Sequence, residues 1–404
     1  MYLTDDIRKD FPVFLKGGQD KPLVYLDTAA SAQKPQCVID AVCDVYTNSY
    51  ANVHRGLYAL AQEITLKYEN ARQTIAHFIN AESSDEIVFT RNATESINLV
   101  AASWADVNLS KGDTILVSEA EHHANLVPWQ IVAQKTGAEL KVFKINDDGS
   151  FNWEFFEKAL TTDVKFVAVT AMSNVLGTIF PVSDIIKAAH KIGAKVLVDA
   201  CQFVVHQAVD VKVWGCDFLA FSGHKLYGPT GIGVLYAKYD LLKEMPPYQT
   251  GGDMVDTVTY QTTTFALPPA RFEAGTPAAV EAIGLEQAIK YISNIGFDNI
   301  ISHEKSLMDY FIKQADELKG FKIIGTAKEK GGVFAFDYKG IHPEDLAFVL
   351  AHENVAIRIG HHCAEPLVKR MGYNSLARAS FGLYTSKEDI DNFFKALQKA
   401  ASFF

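Results

Sequence analysis

A large α/β domain on a parallel or mixed sheet, followed by a smaller α+β domain, is what this 404-residue sequence predicts. Three observations predict it. From Val24 to about residue 265, short apolar runs alternate with helical patterns, the rhythm of strands and helices built into one sheet. That rhythm breaks over 265–277, at Pro268-Pro269 and Glu273-Ala274-Gly275-Thr276-Pro277. Beyond the break come a long helical pattern and then strand, glycine-rich turn and strand.

In chain order, residues 1–20 carry mixed charge and Gly17-Gly18, and read as an arm leading into Val24-Tyr25-Leu26-Asp27. The large domain takes 21–270, with strands over 86–90, 114–118, 165–171, 195–201, 218–222 and 233–237. A helical run starts at Thr94, just past the first of these strands, and another over 183–192 stops at Gly193. The small domain takes 271–404 and opens with a helix over 278–295. It closes with a helix announced by the capping box Ser386-Lys387-Glu388-Asp389, with Ile390, Phe393, Phe394 and Leu397 on one face.

Length allows two sizeable cores, and a formal net charge of −10 argues against nucleic acid or an anionic membrane as the main partner. Five cysteines show neither metal-finger spacing nor a dense disulfide framework, which points to a reducing setting. The opening Met1-Tyr2-Leu3-Thr4-Asp5-Asp6 has no signal-peptide character, and no apolar run is long enough to span a bilayer. The expectation is a cytoplasmic protein.

The candidate site gathers at predicted strand ends, where open α/β sheets put their ligands. Lys225, in Ser222-Gly223-His224-Lys225, follows a buried strand and precedes irregular glycine-rich backbone. There an amine can point into a cleft, lose solvation and attack a carbonyl as a Schiff-base nucleophile, although a lone lysine more often snorkels to water. Asp199 closes the apolar run Lys195-Val196-Leu197-Val198 and needs a cationic partner there, such as a protonated pyridine nitrogen, unless it only caps the next segment. Gln202 could donate to the same ring. Thr94 stands at a helix start, which is an anion site or a plain N-cap, and Ser222 and His224 are placed to serve the same phosphate.

His122-His123 follow a strand, and one of them could stack on a flat cofactor and move protons, or be a structural histidine. Cys363, in Arg358-Ile359-Gly360-His361-His362-Cys363-Ala364, sits in a loop whose histidines and arginine would lower its pKa and favour a thiolate. The plainer alternatives are an inert cysteine or a metal site. Metal is disfavoured, since adjacent residues rarely ligate together. Arg378, in an apolar setting, calls for an anion: a substrate carboxylate, or an acidic residue of the same chain. Gly228-Pro229-Thr230-Gly231-Ile232-Gly233 looks like a nucleotide-binding loop but precedes a strand and lacks the Gly-Lys-Ser/Thr ending.

Taken together, these motifs resemble the fold-type I enzymes that use pyridoxal 5'-phosphate (PLP), in the aminotransferase class V family. More narrowly the chain is similar to the group II cysteine desulfurases of the SufS/CsdA kind. The resemblance runs from Tyr25-Leu26-Asp27-Thr28-Ala29-Ala30 to the C-terminal helix, and its specific motifs are His122-His123-Ala124-Asn125, Asp199-Ala200-Cys201-Gln202, Ser222-Gly223-His224-Lys225 and the Cys363 loop. It implies that Lys225 holds PLP and shuttles the Cα proton, Asp199 pairs with the pyridine nitrogen, His123 stacks on the ring and Gln202 contacts the ring oxygen. Thr94, Ser222 and His224 would bind the phosphate, with Thr276 coming from the other subunit of a homodimer. Asn174 and Arg378 would hold the substrate carboxylate, and His54, Arg55 and Arg358 would lie near the site. The implied reaction takes sulfur from L-cysteine as a persulfide on Cys363, releases L-alanine and passes the sulfur to a SufE- or SufU-like acceptor for Fe–S cluster assembly.

Two departures from the family pattern stand out. Asp253 replaces the usual glutamate in Gly251-Gly252-Asp253-Met254, and Gly382 stands where a bulkier residue is common, which suggests looser packing there. The rival activities on the same scaffold are selenocysteine lyase, cysteine sulfinate lyase and kynureninase-like carbon–carbon hydrolysis, the last of which needs no thiol. A rival of another class is a PLP-fold binding scaffold, which would need none of Lys225, Asp199 and Cys363.

Overall fold

The computed structural model describes residues 5–16 and 21–404. Gly17-Gly18 of the expected arm and residues 1–4 lie outside the described residues. Seven strands form the central sheet: β1 (Ile87–Thr90), β2 (Thr114–Ser118), β3 (Glu139–Phe143), β4 (Val164–Thr170), β5 (Lys195–Asp199), β6 (Phe218–Ser222) and β7 (Gly233–Ala237). Their order is β1-β7-β6-β5-β4-β2-β3. Only β7 runs antiparallel to its neighbours; the remaining pairings are parallel.

The continuous apolar runs have a direct cause in this sheet: it is covered on both faces. Val167, Val169, Val196, Val198, Leu219 and Phe221 pack into one core, while Phe166, Ala168, Leu197, Phe218 and Ala220 pack into another. Alternate residues of a strand point to opposite faces, so two cores leave no polar side for β4, β5 and β6. The strand β3 was not among the expected six. As an edge strand it is exposed or half-buried up to Phe143, its one buried residue, and carries a weaker apolar signal.

The second sheet holds β8 (Phe321–Ile324), β9 (Val333–Tyr338), β10 (Arg358–Gly360) and β11 (Leu376–Ser380), in the order β8-β9-β11-β10. Phe334, Phe336, Phe311, Phe393 and Leu397 form its core. The C-terminal helix Lys387–Ala400 starts at the expected capping box, with the Ser386 and Asp389 side chains each accepting the other residue's backbone N–H. The helices Ala93–Val100, Val182–Lys191 and Ala279–Ile295 match expected ones within a residue or so, and Gly193 and Gly296 follow the latter two at φ +82° and +83°.

Contacts cross the boundary expected near residue 270 in both directions. Val24–Tyr25 pairs in parallel with Val355–Ala356, and Ala279–Ile295 packs against the helices Gln36–Asp44 and Ala59–Phe78. Gly382 is a correction to the sequence reading. A Cβ there would lie 2.8 Å from Tyr384 Cζ and 3.0 Å from Thr28 Oγ1, so the tyrosine ring already fills the space a side chain would take. No helix among the described residues is long and apolar enough to cross a membrane.

Candidate active site

A cleft of about 490 Å³ opens over the C-terminal ends of β4, β5 and β6, between them and the second sheet. Lys225, Asp199, Gln202, Thr94, Ser222, His224, Asn174, Arg358, Arg378 and Cys363 all line it. Thus ten of the fourteen expected site residues meet in one place, while His123, Thr276, His54 and Arg55 do not line it.

The turn after β6 explains how Lys225 reaches the cleft. Gly223 N donates to Ile232 O at 2.9 Å, and Gly223 O accepts from Leu226 and Gly228 at 3.0 Å each. A Cβ on Gly223 would meet Ile232 Cγ2 at 2.7 Å, so only glycine lets the two segments close this tightly. Lys225 forms no ion pair among the described residues. Its charge instead bears on His122 and His224, which burial first and Lys225 second hold down to about 4. His224 is anchored from behind: its carbonyl accepts from Lys34 Nζ at 2.8 Å, and its Nδ1 lies 3.2 Å from Ser31 Oγ.

Asp199 is 5% exposed at the end of β5. One carboxylate oxygen accepts from Cys201 N at 2.9 Å, and no ion pair reaches it among the described residues. A buried carboxylate without a cation is costly. A protonated ring nitrogen in the cleft would relieve that cost, so the donor set fits a pyridinium. Gln202 lines the cleft and donates from Nε2 to Ala29 O at 2.8 Å.

The helix Ala93–Val100 points its N-terminus at the same space. Its N-cap is Asn92, whose Oδ1 accepts from Glu95 N at 3.0 Å, so Thr94 is not the cap. Thr94 is exposed to the cleft with Ala93, whose N–H donates to Ser222 Oγ at 2.9 Å. The Thr94 hydroxyl and the helix dipole make this end suited to a phosphate.

The other wall holds an arginine pair around a residue that the sequence reading quoted without a role. Arg378 is 3% exposed and donates to Asn174 O at 2.8 Å and to Asp27 Oδ1 at 3.3 Å. Burial lowers its pKa to about 10, with Asp27 acting against that shift. Arg358 Nε lies 3.4 Å from the other Asp27 oxygen. Burial raises the Asp27 pKa, and the two arginines oppose it. Asp27 follows the strand Val24–Tyr25; an acid closing an apolar run, as in Asp199, was the available signal.

The Cys363 loop is shaped by three left-handed residues: Gly360, His362 and Cys363 have φ of +108°, +53° and +54°. Asn174 Nδ2 donates to His362 O at 2.7 Å, and His123 N donates to Cys363 O at 2.6 Å. His123 Nε2 also accepts from Glu365 N at 3.0 Å. Of the two adjacent histidines, His122 is on the cleft wall, and His123 staples the 122–125 turn to the cysteine loop. Beneath them Glu121 is fully buried. It accepts from Ser118 Oγ, from Asn125 Nδ2 at 2.7 Å and from Thr170 N at 2.9 Å, and burial raises its pKa to about 8. Cys363 itself is exposed, and all five cysteines are free.

The remaining expected residues sit on outer surfaces. Thr276 lines a separate groove with Tyr68, Tyr248 and Glu273. Glu273 anchors that segment through Arg72 at 2.6 Å, Phe89 N at 2.7 Å and Tyr68 Oη at 2.9 Å. His54 pairs with Glu69 at 2.9 Å, and Arg55 with Asp253 at 2.9 Å.

Comparison with known proteins agrees with this geometry. The aminotransferase class-V family model matches residues 24–393. A cysteine desulfurase of an Enterobacter species is 46% identical, covering 98% of each chain. A probable cysteine desulfurase of Streptomyces coelicolor is 45% identical, covering 99% of this chain and 98% of the other. Among solved structures, the cysteine desulfurase CsdA of Escherichia coli, with an S-sulfonic acid, superposes with a TM-score of 0.92 at 39% identity. That match covers 99% of this chain and 98% of the other. The apo cysteine desulfurase of Thermococcus onnurineus gives a TM-score of 0.95 at 38% identity, covering 100% and 99%.

Proposed function

Because the chain belongs to the aminotransferase class-V family, within its cysteine desulfurases, we propose that it takes sulfur from L-cysteine onto Cys363 with PLP held on Lys225. The observation that carries the reading is the convergence of Lys225, a cation-less buried Asp199 and an exposed Cys363 on one cleft. When bound, PLP supplies an electron sink for the carbon that bears the substrate amine.

The chain's own groups would do the rest. Lys225 Nζ would hold the cofactor, and Asp199 would pair with its ring nitrogen. The N-terminus at Ala93 and Thr94, with Ser222 and His224, would receive the phosphate, and Gln202 would contact the ring oxygen. His123 is the stacking residue of this reading, reached by a turn of its ring away from Glu365; His122 already lies on the wall. Arg378 and Asn174 orient the substrate carboxylate beside Arg358. Lys225 Nζ would also carry the proton from the substrate Cα. The Cys363 thiolate then attacks the substrate sulfur: the S–S bond forms as the Cβ–S bond breaks, the carbon keeps the electron pair and takes a proton, and L-alanine leaves. No external oxidant is needed, since one carbon–sulfur and one sulfur–hydrogen bond are exchanged for one sulfur–sulfur and one carbon–hydrogen bond.

The domain division belongs to the same reading: an arm over 1–20, a PLP-binding domain over 21–270 and a small domain over 271–404 that brings the cysteine loop to the cleft. A homodimer belongs to the reading because Thr276, His54 and Arg55 lie off their own cleft on exposed surface, where a partner's cleft could meet them. The exposed persulfide would pass to a SufE- or SufU-like acceptor, and free cysteines throughout suit a cytoplasmic setting. Cys363→Ala tests the reading. It should keep the visible PLP absorbance and lose desulfuration; sustained sulfur transfer by that variant would sink the persulfide assignment.

A further inference from the structure

Behind the turn that carries Lys225 lies a second lysine, which the reaction above does not use. Lys34 is half-buried, and no acidic side chain pairs with it among the described residues. Its Nζ donates instead to two carbonyls, Ala32 O at 2.7 Å and His224 O at 2.8 Å. Burial lowers its pKa to about 8, and an ammonium kept there without a counter-charge costs stability. The second of those carbonyls belongs to the residue just before Lys225.

Counting donors around that carbonyl shows what the lysine does. A carbonyl oxygen has two lone pairs. At His224 O they are taken by Lys34 Nζ at 2.8 Å and by Ala32 N at 3.1 Å. Ser31 Oγ stands close by, 3.5 Å from the same oxygen and 3.2 Å from His224 Nδ1. Tyr25 Oη donates to Ser31 O at 2.8 Å and holds that residue in place. The hydroxyl has one proton to give, and with the carbonyl filled it gives that proton to Nδ1. Burial first, then the charges of Lys225 and Lys34, hold the His224 pKa down to about 4, so the ring is neutral near neutral pH. A neutral imidazole whose Nδ1 accepts carries its proton on Nε2. That nitrogen has no partner among the described residues, and His224 lines the cleft with Ala93, Thr94 and Ser222.

We propose that Lys34 is a positioning residue for the phosphate end of the cleft: by filling the His224 carbonyl it steers the Ser31 hydroxyl to Nδ1 and fixes His224 as an Nε2–H donor. The inference rests on the phosphate site proposed above and adds to it the pair, Lys34 and Ser31, that selects the donor tautomer.

The test uses the full-length chain. Nitrogen NMR of histidine-labelled protein, before PLP is added, reads the tautomer, with His224 assigned by the signal lost in His224→Ala. Absorbance titration then gives the Kd of PLP and of pyridoxal, which lacks the phosphate. The parent should show an unprotonated Nδ1 and a protonated Nε2 at His224. In Lys34→Met the carbonyl regains a lone pair, the Ser31 hydroxyl turns to it, and the ring proton should move to Nδ1. The Kd of PLP should then rise roughly tenfold, as expected for one lost hydrogen bond to a charged group, with that of pyridoxal little changed. Adding Ser31→Ala to Lys34→Met removes the acceptor for an Nδ1–H, and should return both the Nε2–H form and most of the PLP affinity. A protonated Nδ1 in the parent would overturn the inference without any variant having to fold. An unmoved ring proton in folded Lys34→Met, or an equal loss for PLP and pyridoxal, would do the same and leave the phosphate site standing. A parent that binds PLP no more tightly than pyridoxal would overturn the phosphate site as well.

Discussion

Asp199→Asn should stabilise the cofactor-free protein and weaken the loaded one. Asn is nearly isosteric and can still accept from Cys201 N, which meets Asp199 Oδ1 at 2.9 Å. What changes is a buried charge, 5% exposed and without an ion pair among the described residues. A full desolvation penalty would be several kcal/mol. Part of it is offset by Lys225, whose charge opposes that of Asp199 at both His122 and Cys201. The net gain expected for the apo variant is therefore about 1 kcal/mol. With PLP the sign reverses, because the ring nitrogen loses its counter-charge, and a loss of about 3 kcal/mol in ligand-linked stabilisation is expected. Denaturant unfolding of both proteins, with and without PLP, measures the four values. An apo variant clearly less stable than the parent would refute the argument, since it would mean that the carboxylate is paired inside the protein already.

Two further outcomes follow from the same geometry. Arg378→Lys keeps the charge but loses the planar fork that spans Asn174 O and Asp27. The KM for L-cysteine should rise by about tenfold or more, and an unchanged KM would remove Arg378 from the carboxylate site. Stability should also fall in acid. Burial holds His122 and His224 down to about 4 and His362 to about 3, from an ordinary 6.5. For bases with lowered folded pKa values, the unfolded chain binds more protons below 6.5, so their contribution is present above that pH and lost as pH falls toward 4, by up to about 1.4 kcal/mol per group and pH unit. Glu121 works oppositely, its raised value of about 8 costing stability as pH rises through that region. A melting temperature flat between these limits would contradict both shifts.

How much of this was legible in the sequence follows the range of the forces involved. Strands buried on both faces betray themselves as apolar runs, and a charge or glycine at the end of such a run marks a strand mouth, so Asp199 and Lys225 could be placed before any coordinates. The capping box at Ser386 is equally local. What could not be read was set by distant contacts. Nothing in Val24-Tyr25 announces pairing with Val355-Ala356, which is what brings Asp27 between two arginines. Which of His122 and His123 faces the cleft depends on the dihedrals of one turn and on a hydrogen bond from Glu365, 242 residues away. Asn92 took the cap expected of Thr94 because its side chain reaches the third amide of the helix.

The central claim is that Lys225 and Cys363 act on one amino acid in one cleft. Intact-mass analysis and peptide mapping, after the PLP-loaded protein meets L-cysteine without reductant, test it most directly. The account predicts one added sulfur atom on the Cys363 peptide, an equal amount of L-alanine, and neither when Lys225 is replaced by alanine. Sulfur on Cys201 or another cysteine, or L-alanine formed without any sulfur on Cys363, would contradict it.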